Sequence, residues 1–213
     1  MEKYVKLTSQ RYHDVVLRVI PGHFVTPNSH VNYYMDMAAL KSRTSEARAA
    51  ARALSEFYYS STYVDTIICL DGTEVIGAYL AEELSHVGVI SANRHKSIYV
   101  ISPEYNNSGQ MIFRENIQQW INDKNVLLLL ASATTGKTMA QSVESLIYYG
   151  AKITGISAIF SVTTKLMGMP VHYLFSPTDL PDYATYSHDD CALCKKKIRV
   201  DAMCNGFGIT PIR

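Results

Sequence analysis

The sequence predicts an α/β domain with a mainly parallel central sheet flanked by helices, and three observations carry that expectation. Short apolar runs rich in β-branched residues alternate with amphipathic stretches of about a dozen residues. Two of those runs, Thr66–Leu70 and Val126–Leu130, lead into glycine-containing turns that open a helical pattern. The composition, 47% hydrophobic and 18% charged over 213 residues, suits one compact domain with a proper core.

Each element follows from its own pattern. From Thr44 to Tyr58, the residues Ala47, Ala50, Ala51, Leu54, Phe57 and Tyr58 recur at helical spacing while Arg48, Arg52 and Glu56 fall on another face, which predicts a helix packed on one side. Thr66–Leu70 predicts a strand closed by Asp71-Gly72, and Val75, Ile76, Tyr79, Leu80 and Leu84 predict the helix behind it. Val87–Ala92 and Met111–Phe113 predict strands flanking a polar stretch with Pro103, Asn106, Asn107, Ser108 and Gly109, expected to form a mobile flap. Strand, turn and helix return at Val126–Leu130, Ala131–Lys137 and the series Met139, Val143, Leu146, Ile147, with Gly150 placed to stop the helix. Ile153–Phe160 predicts the next strand. Residues 1–180 are expected to form the domain and residues 181–213, rich in Asp, Tyr, Lys and Cys, an appended segment outside the sheet.

Charge and length exclude several classes. Twenty basic residues against 19 acidic give a net charge of +1, so no global field draws the chain to nucleic acid or to an anionic membrane, and any anion must be held locally. No apolar run approaches the roughly 18 residues of a membrane span. Met1-Glu2-Lys3-Tyr4 lacks the apolar core of a signal peptide, and a cytoplasmic location is the default expectation.

The segment most suggestive of chemistry joins a buried strand to a helix. Ser132, Ala133, Thr134, Thr135, Gly136, Lys137 and Thr138 place small and hydroxyl residues where backbone N–H groups at a helix start, together with threonine hydroxyls, wrap a phosphate. An ordinary threonine-rich turn satisfies the same spacing. Gly136-Lys137-Thr138 also supplies the second half of a nucleoside-triphosphate P-loop, but Ala131 stands where its first glycine belongs. A P-loop-like nucleotide hydrolase is therefore the third reading.

Thr134-Thr135-Gly136-Lys137-Thr138, after an apolar strand, resembles the phosphate half of the phosphoribosyl-pyrophosphate motif of type I phosphoribosyltransferases. The resemblance extends in order over roughly residues 14 to 180. Gly22-His23-Phe24-Val25-Thr26, followed by Ser29-His30-Val31-Asn32-Tyr33-Tyr34-Met35-Asp36, is similar to the entry segment of orotate phosphoribosyltransferases. Leu70-Asp71-Gly72-Thr73 falls where that family keeps its pyrophosphate-binding turn, and Asn93-Arg94-His95-Lys96 resembles the opening of its flexible catalytic loop. Gly168–Phe175 is similar to a late segment of the same family.

The resemblance implies the type I fold with a small hood built from the N-terminal segment and the tail, and a homodimer. It implies transfer of phosphoribose from phosphoribosyl pyrophosphate, with Mg²⁺, to a nucleobase such as the pyrimidine orotate. The small molecule and the base would be the partners, with no nucleic acid and no membrane. Arg94 and Lys96 would neutralise the departing pyrophosphate, Asp71, Gly72 and Thr73 would bind it, Ser132–Thr138 would hold the 5′-phosphate, and His30, Tyr33 and Tyr34 would belong to the base site or hood.

The chain departs from the family pattern at telling positions. Leu130 and Ala131 occupy the places of an acidic pair, Ser161 and Val162 those of an Asp-Arg pair, and His30 that of a lysine. Asp71, Glu74 and Glu115 are the carboxylates available as substitutes. A non-catalytic sensor of phosphoribosyl pyrophosphate or a nucleotide is therefore the alternative function.

Three of the four cysteines are bunched near the end. Cys191, Cys194 and Cys204, with His188, supply one imidazole and three thiols, enough for a tetrahedral Zn²⁺ site, and reduced thiols in a surface tail are the alternative. Lys195, Lys196 and Lys197 beside Cys194 favour its thiolate and open the way to oxidation. Cys69, inside an apolar run, is expected to be a small core residue.

Overall fold

The structure, a computed structural model, describes residues 4–86, 92–93, 97–205 and 208–212. In chain order come β1 (Val5–Thr8), β2 (Val16–Val25), β3 (His30–Asp36), α1 (Ala38–Ser42), α2 (Thr44–Ser55), β4 (Thr66–Cys69), α3 (Glu74–His86) and β5 (Tyr99–Ile101). Then follow β6 (Glu104–Tyr105), β7 (Met111–Ile112), α4 (Glu115–Gln118), β8 (Asn125–Ala133), α5 (Lys137–Tyr148), β9 (Lys152–Ser161), β10 (Lys165–Leu166) and β11 (Met169–Phe175). The last are β12 (Thr185–Tyr186), α6 (Ala192–Lys195), β13 (Ala202–Asn205) and β14 (Gly208–Pro211).

The central sheet has the order β10-β11-β9-β8-β4-β5, parallel throughout except for the β10–β11 hairpin at one edge. Its middle strand shows why both faces are covered. Residues 126–130 of β8 are fully buried, and alternate side chains point to opposite faces of a strand. Leu127, Leu129 and Ala131 pack in a core with Ala47, Ala50 and Leu54 of α2 and Ile76, Leu80 and Leu84 of α3. Val126, Leu128 and Leu130 pack in a second core with Met139, Val143 and Leu146 of α5. Each buried leucine contributes about 1.5–3 kcal/mol by leaving water, so the apolar run of β8 is what fastens the helices to the sheet.

A second sheet, ordered β12-β3-β2-β13-β14 with β1 also on β2, forms the hood. The segment after Pro181 stays out of the central sheet but is built into this one. β12 pairs antiparallel with β3, and β13 pairs parallel with β2 through Ala202↔Phe24 and Met203↔Val25. The polar stretch expected as a flap has a definite form. It is a β6–β7 hairpin whose turn is organised by Asn106, with Oδ1 accepting from the N–H groups of Ser108 and Gln110 at 2.9 Å each. The strand expected over Val87–Ala92 lies outside the described residues except Ala92, which sits in a turn and donates its N–H to the Tyr59 carbonyl. No helix among the described residues is long and apolar enough to cross a membrane.

Candidate functional site: a cavity between the sheet and the hood

Parallel strands aligned in one direction place the turns after β4 and β8 side by side, and ligands of open α/β sheets bind beyond those carboxyl ends. β8 runs on to Ala133, so the turn itself is only Thr134, Thr135 and Gly136. Gly136 takes the N-cap place of α5 at φ 73°, a left-handed conformation that an L side chain resists. Gly136 has no side chain to cap α5, and the Lys137 N–H makes only a long bond to Thr135 Oγ1 at 3.5 Å, so the helix start can turn its N–H groups to a ligand.

These elements open onto a cavity of about 290 Å³. Ala131–Gly136, Thr138 and Met139 line it from the strand, turn and helix, and Asp71 and Lys41 line it from the turn after β4 and from α1. The hood contributes Thr26, Pro27, Asn28, Val31, Tyr33 and Tyr34, together with Cys204, Asn205 and Gly208 from the tail.

Two charged groups set the electrostatics. Lys41 is 8% exposed, and its ammonium donates to the Asp71 carbonyl at 2.6 Å. Burial lowers its pKa, opposed by Asp71 and Glu74. Burial likewise raises the Asp71 carboxyl above the usual range, against an opposing hydrogen bond from the Ala131 backbone and the nearby lysine charge. Asp71 and Gly72 both adopt positive φ, 57° and 78°, so the turn after β4 is a left-handed pair. Burial and then Asp36 push the Tyr34 hydroxyl up to about 12, which leaves a neutral phenol at the cavity.

The residues singled out from sequence are distributed unevenly. Ser132, Ala133, Thr134, Thr135, Gly136, Thr138, Asp71, Tyr33 and Tyr34 come together at the cavity. Lys137 is exposed and is not part of the lining, so the P-loop reading loses the lysine it needs. Thr73 is fully buried and its hydroxyl donates to the Leu70 carbonyl at 2.8 Å, so it braces the turn, and Gly72 supplies backbone only. Arg94 and Lys96 lie outside the described residues. Of the positions of the expected acidic pair, Leu130 packs under α5 and Ala131 alone reaches the cavity. Ser161 is buried with its hydroxyl donating to the Thr163 carbonyl at 2.7 Å, and Val162 packs on the core of α2 and α3. Glu74 accepts from the Ser102 hydroxyl at 2.6 Å, and Glu115 is exposed on α4.

His30 does not line the cavity. Its Nδ1 lies 2.8 Å from His23 Nε2, beside the sulfurs of Cys191 and Cys194. Cys204 and His188 stand outside that group: Cys204 lines the cavity, and His188 Nε2 bonds the Pro27 carbonyl at 3.3 Å. Sequence reasoning missed Lys41 and His23. Lys41 carried a signal in hindsight, a lone lysine in the apolar stretch Met37-Ala38-Ala39-Leu40 directly after a strand. His23 carried none, because apart from His30 its partners Cys191, Cys194, Ile198 and Asp201 are far along the chain.

Comparison with known proteins bears on the whole arrangement. No protein-family model matches the chain, and no curated protein sequence matches it. Solved structures do. An orotate phosphoribosyltransferase from Mycobacterium tuberculosis H37Rv aligns at TM-score 0.52 and 16% identity, covering 78% of this chain and 93% of that one. The orotate phosphoribosyltransferase from Aeropyrum pernix aligns at 0.52 and 22%, covering 76% and 90%. The adenine phosphoribosyltransferase from Leishmania donovani aligns at 0.50 and 14%, covering 76% and 78%. The parallel sheet, its covering helices and the turns at its carboxyl edge are thus those of the type I phosphoribosyltransferase fold, and this chain has that fold.

Proposed function

We propose that the cavity binds phosphoribosyl pyrophosphate and that the protein transfers its phosphoribosyl group to a nucleobase. The observation that carries this reading is the meeting of the α5 start, the Thr134–Gly136 turn and the Lys41 ammonium in one cavity. Backbone N–H groups and threonine hydroxyls take the 5′-phosphate, and Lys41 opposes the charge of the pyrophosphate. In the reaction a base nitrogen attacks the anomeric carbon, the bond from that carbon to pyrophosphate oxygen breaks, and pyrophosphate leaves with the electron pair while the base nitrogen gives its proton to water. Charge grows on the leaving group, so a cation fixed beside it lowers the barrier. Arg94 and Lys96 join Lys41 in this reading, brought by their loop from the same chain or from the second subunit of a homodimer.

The donor set does not suit Mg²⁺ as an ion caged by the protein. Among the described lining residues Asp71 is the one carboxylate, burial disfavours its charge, and a lysine ammonium sits beside it. No step is therefore assigned to a protein-held metal, and any Mg²⁺ arrives as part of the pyrophosphate substrate. A carboxylated base such as orotate finds no arginine at Ser161-Val162, which favours a base without that charge.

One observation supports the second reading, a non-catalytic sensor. The side chains of Leu130 and Ala131 cannot accept hydrogen bonds from ribose hydroxyls. Calorimetric titration with phosphoribosyl pyrophosphate and Mg²⁺, followed by a panel of bases including orotate, adenine and uracil scored for pyrophosphate release, separates the two. Binding with release supports the transferase, binding without release on any base supports the sensor, and absence of binding sinks both.

A further inference from the structure

His23, His30, Cys191 and Cys194 bring their ligand atoms within 4.8 Å of one another, and we infer that they hold a structural zinc ion that fastens the tail to the hood. His23 and His30 come from β2 and β3, which the Val25↔His30 pairing sets side by side. Cys191 and Cys194 flank the start of α6, the C-x-x-C half of a zinc knuckle.

The sulfur–nitrogen distances match a tetrahedron. Zinc–sulfur and zinc–nitrogen bonds of about 2.3 and 2.05 Å at tetrahedral angles require sulfur and nitrogen ligands to stand roughly 3.6 Å apart. Cys191 Sγ lies 3.6 Å from His23 Nε2, and Cys194 Sγ lies 3.7 Å from His23 Nε2 and 3.6 Å from His30 Nδ1. The two imidazole nitrogens, at 2.8 Å, are closer than the roughly 3.3 Å the same geometry asks for, so the rings separate slightly when the ion enters. Two thiolates and two imidazoles at tetrahedral spacing select zinc among the divalent metals, and four protein ligands leave no open position for catalysis.

The surroundings orient the ligands. His23 Nδ1 donates to the Ile198 carbonyl at 2.9 Å, which fixes the tautomer whose free lone pair, on Nε2, faces the cysteines. His23 also exchanges backbone bonds with Asp201, its N–H donating to Oδ2 and its carbonyl accepting from the Asp201 N–H, both at 2.8 Å. Three of the four ligands are buried, His23 fully, His30 at 8% and Cys191 at 2% exposure. The consequence reaches the cavity from both sides. Thr26, Pro27 and Asn28 lie between the two histidines, and Cys204, Asn205 and Gly208 follow the cysteines, so one ion sets the position of both groups of lining residues.

The intact chain, purified under reducing conditions, is the material for the test. Elemental analysis is expected to find a single zinc per chain, and Co²⁺ added to the chelator-stripped protein is expected to give the intense visible absorption of a tetrahedral thiolate site. Zinc is expected to shield two thiols from alkylation, mapped by mass spectrometry to Cys191 and Cys194, until a chelator is added. Cys191→Ser and His23→Asn are expected to lose the ion, while Cys204→Ser and His188→Ala keep it. The alkylation map on the unaltered chain stands even where a variant fails to fold. A chain that takes up neither zinc nor Co²⁺ at stoichiometric amounts, a Cys191–Cys194 disulfide under those conditions, or an ion retained by Cys191→Ser/Cys194→Ser overturns the inference. None of these readings depends on phosphoribosyl transfer.

Discussion

The Lys41 ammonium donates a 2.6 Å hydrogen bond to the carbonyl of Asp71, which ties the first helix of the chain to the left-handed turn after β4. Among the described lining residues it is the only lysine or arginine, so one side chain both braces the turn and carries the positive charge of the cavity.

Lys41→Met is expected to weaken binding of phosphoribosyl pyrophosphate roughly 10- to 100-fold, since a hydrogen bond to a charged group is worth about 1.5–3 kcal/mol. Burial holds the lysine pKa below 10.5, so the affinity of the unaltered protein should decline with rising pH earlier than an ordinary lysine would cause. Calorimetric titration across alkaline pH checks both statements. Equal affinity in the variant would remove Lys41 from the site.

Asp71→Asn tests the buried carboxyl. Its folded pKa is raised above 3.8, so its contribution to stability is present below that value and is lost as pH rises through the raised pKa. An asparagine keeps an oxygen for the Ala131 N–H without the buried charge. Denaturant midpoints at neutral pH should be equal to or above those of the unaltered chain, with the gap closing in acid. A variant destabilised at neutral pH by more than about 1 kcal/mol would contradict this account.

Gly136→Ala addresses the phosphate turn. At φ 73° an L side chain costs about 1–2 kcal/mol, and the added carbon would stand 3.4 Å from Thr163 Oγ1. A lower melting temperature together with loss of anion binding is expected. Anion binding retained in a folded Gly136→Ala protein would place the phosphate elsewhere.

Arg18 and Glu46 make a two-pronged pair at 3.1 and 3.0 Å that joins β2 to α2, with side chains 23% and 17% exposed. The hydrogen bonds from Arg18 lower the Glu46 pKa below 4.5, so this stabilisation is present above pH 4.5 and is lost as pH falls through the depressed value. Glu46→Gln should cost about 1–2 kcal/mol at neutral pH and progressively less in strong acid, read from urea unfolding at several pH values.

Local pattern made the central sheet legible, because an apolar run such as Val126–Leu130 admits few conformations and the turns at its end name their own geometry. The phosphate turn was legible for the same reason, with strand β8 merely running three residues past Leu130, through Ala131, Ser132 and Ala133. The tail was harder to read. β12 and β13 are short, and what makes them strands is pairing with β3 and β2, which no local period encodes. The His–Cys cluster was hidden in the same way. Cys191 and Cys194 announce themselves by spacing, but the histidines that cluster with them are His23 and His30, more than 160 positions away, while the nearest in sequence, His188, bonds the Pro27 carbonyl.

The parallel pairing of β13 with β2 also sets an order of events during synthesis. His23 waits for Asp201, made 178 positions later, before either can complete its backbone bonds. β1, β2 and β3 pair with one another early, but β3 waits for β12 and the Phe24–Val25 end of β2 waits for β13, while the sheet from β4 to β11 has all its partners before the tail emerges. A nascent chain halted before β13 would therefore carry a finished sheet beneath an unfinished roof, with the edge of β2 at Phe24 and Val25 open to chaperones or to other chains.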